Sequence, residues 1–123
     1  MVYLSVVVPL YDERESVELL VEQIQLAAEP LRISYEIVLV DDGSTDGTWD
    51  VIESICRAKP ICRGIKLRRN FGQTCALMAG FEFAGGAIII TMDGDLQNDP
   101  ADIPAIIQKI EEGMNRLGKY LRN

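Results

Sequence analysis

The chain has 123 residues, 48% hydrophobic and 25% charged, and its formal net charge is −7. This length suits one globular domain, and the composition is typical of a soluble globular protein. The acidic charge disfavours binding to a nucleic-acid backbone, so we expect no nucleic-acid partner. Because the chain contains no histidine, any chemistry must use carboxylates, a metal ion, Lys, Arg or a thiol.

Strand patterns alternate with helical patterns along the chain. In chain order we predict a strand at 4–9, a helix at 15–28, a strand at 35–40, a helix at 48–58, a strand at 64–67, a helix at 73–84, a strand at 87–92 and a helix that opens at 99–100. Asp12 and Glu15 have the spacing of a capping box for the first helix. This alternation predicts an α/β fold, with a mainly parallel sheet of about four strands flanked by helices.

The end of the chain has a different character from the rest. Isoleucines at 103, 106, 107 and 110 form an apolar stripe on the last predicted helix. The residues after Gly113 are basic and weakly patterned. We therefore divide the chain into a domain of residues 1–113 and a short basic tail of residues 114–123.

Cysteine usage and the pattern at the N-terminus bear on cellular location. The three cysteines, Cys56, Cys62 and Cys75, have a spacing that fits neither a zinc site nor a disulfide framework. The chain opens on a strand pattern without a charged leader, and no apolar run approaches the roughly 20 residues that span a bilayer. We therefore expect a cytoplasmic protein with reduced thiols.

Acidic residues follow three of the predicted strands. Glu13 comes after the first strand, Asp41–Asp42 after the second, and Asp93 and Asp95 after the fourth. The carboxyl ends of parallel strands lie at one edge of a sheet, where ligands bind, so these groups should converge. Close carboxylates repel each other unless a cation lies between them. Such oxygen ligands suit Mg²⁺ or Mn²⁺ with a substrate phosphate, which predicts a metal site for a phosphorylated ligand.

Each acidic group also has a simpler explanation when it is taken alone. Asp41–Asp42 fits an ordinary turn, Glu13 fits an acid favoured by a helix dipole, and Asp93 with Asp95 fits a solvated loop. Arg68, after the third strand, either pairs with these acids or contacts the diphosphate of a nucleotide. No Gly-rich phosphate loop follows the first strand, which disfavours a dinucleotide-binding fold and a P-loop NTPase.

Four segments of the chain together resemble the family 2 glycosyltransferases of the GT-A fold, and most closely the dolichol- or polyprenyl-phosphate sugar transferases. They are SVVVPLYDE at 5–13, IVLVDDGSTDGT at 37–48, RNFGQ at 69–73 and TMDGDLQNDP at 91–100. A lone D-x-D pair is a weak signal, but these segments occur in the right order and on the right predicted elements. The resemblance covers residues 3–113 and implies the Rossmann-like, nucleotide-binding half of a GT-A domain.

The resemblance implies a pocket for the nucleoside of a UDP- or GDP-linked sugar. Pro9, Tyr11 and Glu13 would line this pocket after the first strand. Val40 and Asp42 would contact the base, and the Asp42 carboxylate would accept a hydrogen bond from a ring N–H. The expected donor substrate is therefore a nucleoside-diphosphate sugar.

The resemblance also implies a catalytic metal motif. Asp93 and Asp95 would form a D-x-D motif that binds Mg²⁺ or Mn²⁺, and Gln97 would join the metal shell. Gly94 would let the backbone approach the ligand closely, and Arg68 would contact the diphosphate. The metal would stabilise the leaving diphosphate while a polyprenyl phosphate displaces it with inversion.

The resemblance is limited to the donor-binding half of a family domain. In the family, the second half supplies the acceptor site and, in many members, membrane helices, which place full-length relatives at the cytoplasmic face of a membrane. We therefore expect the chain by itself to bind the donor without transferring the sugar. The alternative is a non-catalytic nucleotide-binding or assembly module of the same fold. An uncovered sheet edge would promote pairing with a second copy, so we also expect a homo-oligomer.

Overall fold

The computed structural model describes residues 1–94 and 99–121, and the side chains of the last helix as far as residue 116. Strands and helices alternate as predicted. They are β1 (Leu4–Leu10), α1 (Val17–Ala28), β2 (Tyr35–Asp41), α2 (Thr48–Ala58), β3 (Cys62–Lys66), α3 (Gln73–Phe83), β4 (Ile88–Thr91) and α4 (Ile103–Leu121). Short 3-10 turns precede β2 and α4 at Glu29–Leu31 and Pro100–Asp102.

The strands form one parallel sheet in the order β3-β2-β1-β4. Parallel neighbours need crossover connections, which the helices supply while covering the faces of the sheet. The register pairs Leu10 with Asp41, and Asp41 with Lys66, so the carboxyl ends of β1, β2 and β3 are level. This arrangement confirms the predicted α/β class and creates one edge at which the connecting loops meet.

The hydrophobic core lies on both faces of the sheet because alternate strand residues point in opposite directions. The larger cluster joins one face of the sheet to α1, α2 and α4. The smaller cluster joins Val7, Val38 and Val40 to Ala76 of α3. A Cβ atom on Gly80 would lie 2.3 Å from Val7 Cγ1, so this glycine lets α3 approach the sheet closely.

A buried carboxylate lies near the amino-terminal edge of the sheet, away from the strand ends. Glu36 accepts hydrogen bonds from Ser5 Oγ and Gly85 N, both at 2.7 Å, and from Arg63 Nη1 at 3.2 Å. Gly86 N also donates to Ser5 Oγ at 2.8 Å, which ties the α3–β4 connection to β1. Burial by itself would raise the pKa of Glu36, but the hydrogen bonds from Gly85, Ser5 and Arg63 outweigh it and lower the pKa.

The start of α1 differs from the prediction. The helix begins at Val17, and Ser16 at its N-cap makes no side-chain cap hydrogen bond. The predicted capping box of Asp12 and Glu15 is wrong. Asp12 Oδ1 instead accepts a hydrogen bond from the amide of Thr45 in the loop after β2. A contact distant in sequence has replaced a local one.

The end of α4 also differs from the sequence pattern. The helix continues through Gly113, where we expected a weakly patterned tail to begin. The division into residues 1–113 and 114–123 stays a prediction. Of the isoleucine stripe, Ile103 and Ile107 are buried and Ile110 packs partly against the core, while Ile106 is exposed. In the part of the chain that the structure describes, no helix has the length and apolarity of a membrane span.

Candidate functional site

A cavity of about 440 Å³ lies at the carboxyl-terminal edge of the sheet. Segments that follow all four strands contribute to its wall. The lining residues are Pro9, Leu10, Tyr11, Glu13, Asp42, Asn70, Gly72, Gln73, Asp93 and Gly94. This volume lies within the range of about 300–1,000 Å³ that is usual for small-molecule sites. The structure therefore brings acidic strand ends from separate parts of the sequence into one concave site.

Several predicted site residues lie elsewhere. Val40 is fully buried in the cluster with Val7 beneath α3, so it packs in the core and does not line the cavity. Arg68 is exposed and lies outside the cavity lining. Asp95 and Gln97 fall outside the described residues, so their part in the site stays a prediction. Of the predicted site residues, the described lining thus contains Pro9, Tyr11, Glu13, Asp42, Asp93 and Gly94.

The adjacent acids Asp41 and Asp42 have different environments. Asp41 is fully buried, and its Oδ1 accepts from the amide of Ser44 at 3.2 Å. Its Oδ2 has no hydrogen-bond partner within the described part of the chain. Of the two acids, only Asp42 lines the cavity. Because Asp41 is fully buried, the two acids do not line the cavity as a pair.

Asp42 organises the segment that follows β3. Its Oδ1 accepts from Phe71 N at 2.8 Å, and its Oδ2 accepts from Gly72 N at 3.1 Å. The side-chain amide of Asn70 donates to the backbone oxygen of Asp42 at 3.2 Å and to Oδ2 at 3.4 Å. Both carboxylate oxygens therefore already accept hydrogen bonds from the protein. A ring N–H from a base would have to share or displace one of these donors.

Two glycines allow the walls of the cavity to pack closely. At Gly43 φ is +72°, and a Cβ atom there would lie 2.3 Å from both Arg69 C and Asn70 N. A Cβ atom on Gly94 would lie 2.3 Å from Leu10 Cδ2. Gly94 therefore has a packing role against the end of β1, in addition to the ligand approach that the resemblance implies.

Asp93 is the carboxylate of the D-x-D motif that the structure describes. Gln73, at the start of α3, donates from Nε2 to Asp93 Oδ1 at 3.1 Å. This bond orients the carboxylate without neutralising its charge. Across residues 1–94 and 99–121, no three acidic or cysteine residues cluster closely enough to hold a metal ion. Within the D-x-D motif, Asp93 thus offers a hard oxygen ligand of the type that Mg²⁺ and Mn²⁺ prefer, while Asp95 and Gln97 lie outside the described residues.

Sequence reasoning assigned no role to Leu10, Asn70, Gly72 or Gln73, although all of them line the cavity. The last three belong to the RNFGQ segment, whose position after a predicted strand places it at the binding edge. The position of the segment after a predicted strand was the signal that could have identified these residues as part of the site. It does not reveal that the segment turns back onto Asp42, because this contact joins residues about 30 apart in sequence.

Curated proteins of similar sequence are polyprenyl-phosphate sugar transferases. An undecaprenyl-phosphate 4-deoxy-4-formamido-L-arabinose transferase of Shewanella sediminis is 43% identical over an alignment of 123 positions, which covers 98% of this chain and 37% of that protein. A dodecaprenyl-phosphate galacturonate synthase of Rhizobium johnstonii is 47% identical over 109 residues, which are 88% of this chain and 32% of that protein. The chain thus spans about a third of the length of these relatives.

Solved glycosyltransferases share the fold. The mannosyltransferase PcManGT of Pyrobaculum calidifontis, in complex with GDP-Man and Mn²⁺, superposes with a TM-score of 0.68 at 29% identity over 75% of this chain and 27% of its own. TarS 1-349 of S. aureus superposes with a TM-score of 0.73 at 25% identity over 89% of this chain and 32% of its own. The sequence model of the family described as Glycosyl transferase family 2 matches residues 5–117. With that match over most of its length and a GT-A arrangement of strands around the cavity, the chain belongs to glycosyltransferase family 2.

Proposed function

We propose that the cavity binds a nucleoside-diphosphate sugar, in the presence of Mg²⁺ or Mn²⁺, for transfer of the sugar to a polyprenyl phosphate. The observation that carries this proposal is that Glu13, Asp42 and Asp93 line the same cavity. Relatives that act on undecaprenyl or dodecaprenyl phosphate support the acceptor class. Neighbours solved with GDP-Man or UDP support the donor class.

The β1 and β2 sides of the cavity suit a nucleoside. Tyr11 lines the cavity while remaining 47% exposed, so its ring is available to pack against a base. Pro9 and Leu10 add apolar wall beside it. Asp42 offers carboxylate oxygens to a ring N–H, which both uracil and guanine possess. These groups bind and orient the donor, and the described contacts favour neither base over the other.

The charge of the cavity explains why a cation is needed. Glu13, Asp42 and Asp93 are all acidic, and a pyrophosphate brings further negative charge into the same space. Asp93, held by Gln73, would ligate Mg²⁺ or Mn²⁺ together with Asp95 and Gln97. When bound, the cation would stabilise the negative charge that develops on the leaving diphosphate.

The acceptor determines where the reaction takes place. A polyprenyl phosphate is already anionic, so it can attack the anomeric carbon directly, with inversion and without a strong general base. It is also a membrane lipid, and we therefore assign the reaction to the cytoplasmic face of a membrane. The 123 residues span 37% of the similar arabinose transferase. Tested by themselves, they should bind the donor without transferring the sugar.

Calorimetry with UDP and GDP, each with and without Mn²⁺, tests the donor site. We expect Mn²⁺-dependent binding of at least one nucleotide, and the loss of this binding in Asp95→Ala with the fold intact by circular dichroism. Asp50→Asn, which removes an exposed charge on α2, is the matched control and should bind like the wild type. If neither nucleotide binds, the proposal is wrong. If the Mn²⁺ dependence is unchanged in Asp95→Ala, the metal site does not include Asp95.

A non-catalytic binding or assembly module is the second candidate function. Exposed apolar side chains on the outer strand β4 and on helix α3 favour it. The exposed fractions are 39% for Ile89, 61% for Met78, 44% for Phe81 and 52% for Phe83. Exposed apolar side chains of this kind are suited to pairing with a second copy, so a homo-oligomer is part of the proposal. Transfer of a radiolabelled sugar to a polyprenyl phosphate separates a transferase from a binding module.

A further inference from the structure

The loops that follow β1 and β2 are joined by reciprocal hydrogen bonds. Asp12 N donates to Ser44 Oγ at 2.9 Å, and Thr45 N donates to Asp12 Oδ1 at 2.8 Å. Asp12 has a φ of +50°, in the left-handed region that Asp tolerates better than most residues. The two bonds support this turn, which directs the chain from Tyr11 to Glu13 along the cavity wall.

A second pair of bonds is donated by the amides of Glu13 and Arg14. Glu13 N donates to Thr48 Oγ1 at 3.1 Å, and Arg14 N donates to Asp46 Oδ2 at 3.2 Å. Asp46 Oδ1 accepts from Thr48 N at 3.0 Å and also from the Thr48 hydroxyl. Because Thr48 is fully buried, its hydroxyl depends on these partners. The result is a continuous relay from the Glu13 amide through the Thr48 hydroxyl to the Asp46 carboxylate.

The titration of Asp46 agrees with this arrangement. Burial by itself would raise the pKa of Asp46, but hydrogen bonds from the Thr48 side chain and from the amides of Arg14 and Thr48 outweigh it and lower the pKa. The carboxylate is therefore held in its charged form, which is the better acceptor for the relay. Residues 44–48 lie outside the cavity lining, so the relay acts on the site through the backbone of Glu13, which does line it.

We propose that Thr48 and Asp46 are positioning residues for the nucleoside side of the cavity: together they fix the backbone at Glu13 and so place Tyr11 and Glu13 for the ligand. This inference rests on the proposed function and deepens it, because it gives the Ser44–Thr48 segment a purpose that involves no ligand contact. A wall fixed before binding does not have to be ordered when the nucleotide arrives, and this raises affinity. The hydrogen bonds of the relay join residues 12–14 to residues 44–48, and Asp93, where the pyrophosphate would bind, is not a partner in them.

Thr48→Val and Thr48→Ser form the matched pair that tests the relay. Valine keeps the shape of threonine but has no hydroxyl, whereas serine keeps the hydroxyl. We expect Thr48→Val to weaken UDP or GDP binding with Mn²⁺ by about fivefold to tenfold, which corresponds to one or two hydrogen bonds. Thr48→Ser should stay within about twofold of the wild type. Amide hydrogen exchange at Glu13 should become faster in Thr48→Val and stay protected in Thr48→Ser.

Binding of inorganic pyrophosphate with Mn²⁺ distinguishes positioning from general damage to the fold. It should change less than nucleotide binding does in Thr48→Val, because Asp93 is not a partner in the hydrogen bonds of the relay. Wild-type nucleotide affinity in Thr48→Val would overturn the inference, and so would an equal loss of nucleotide and pyrophosphate binding. If Thr48→Val does not fold, Asp46→Ala, on a partly exposed side chain, applies the same criteria. Failure of the proposed function would appear separately, as a wild-type chain that binds neither nucleotide.

Discussion

Replacing Gly43 with alanine should disrupt the cavity by displacing the segment after β3. The residue has a φ of +72°, and an added Cβ atom would lie 2.3 Å from backbone atoms of Arg69 and Asn70. Backbone cannot move aside as the tip of a side chain can, so the segment would have to shift. A shift would weaken the bonds that Asp42 accepts from Phe71 N at 2.8 Å and from Gly72 N at 3.1 Å.

The loss of unfolding free energy in Gly43→Ala has two contributions, backbone strain and the displaced segment, and Gly47 serves as the control that separates them. Gly47 also has a left-handed φ, +93°, but a Cβ atom there would meet nothing closer than Arg14 Cδ at 3.7 Å. Gly47→Ala should therefore cost about 1 kcal/mol, from backbone strain alone. Gly43→Ala adds the partial loss of two hydrogen bonds to a charged group, so we expect about 3 to 4 kcal/mol.

Urea unfolding, followed through the fluorescence of the single tryptophan, measures both free energies. Calorimetry with UDP or GDP and Mn²⁺ then measures the site, to which Asn70, Gly72 and Gln73 contribute. Gly43→Ala should lose more nucleotide affinity than Gly47→Ala. If the two substitutions destabilise the fold equally, contact with the backbone of residues 69–70 is not the reason that position 43 requires glycine.

Three further predictions concern pH, thiol reactivity and association. The folded-state pKa of Glu36 lies below its usual value of 4.5, so its stabilising contribution is present above that pH and is lost as the pH falls through the folded-state pKa. Glu36→Gln should therefore flatten the acid-induced fall in unfolding free energy measured by urea titration, and an unchanged fall would contradict this. A thiol reagent at mildly alkaline pH should label the exposed Cys75 first, because Cys62 is buried and its pKa is raised, mainly by burial, to about 11. Equal labelling rates in the native chain would show that Cys62 is accessible. Size-exclusion chromatography with light scattering should detect self-association at high protein concentration that Ile89→Lys weakens, and a strictly monomeric wild type would count against the oligomer.

Much of the fold follows from local patterns. Helix α2 occupies Thr48–Ala58, the span that apolar spacing predicted, and the strands lie within two residues of their predicted starts. Continuous apolar runs indicate strands buried on both faces, and this is enough to predict a parallel sheet. The capping box predicted for α1 was wrong because the Asp12 carboxylate bonds to Thr45, which lies 33 residues away. A helix-capping pattern spans only a few residues, so it cannot include both partners of this bond.

The site was predictable in outline and not in detail. The order of strands and acids indicated which edge of the sheet would hold Glu13, Asp42 and Asp93, and one cavity contains all of them. The side chain of Val40 could not be placed, because a run that is apolar at every position does not show which face each residue takes. In the structure Val40 packs beneath α3.

The sequence by itself determined the class of fold, the family, and the presence of carboxylates at the ends of parallel strands, because these depend on residue type, order and periodicity. Only the tertiary structure decided which groups touch: that Asp42 holds the segment after β3, that Gln73 orients Asp93, and that the loops after β1 and β2 are joined. The physical reason is that these bonds join residues 20 to 35 positions apart. Their geometry exists only after the helices have packed the strands side by side.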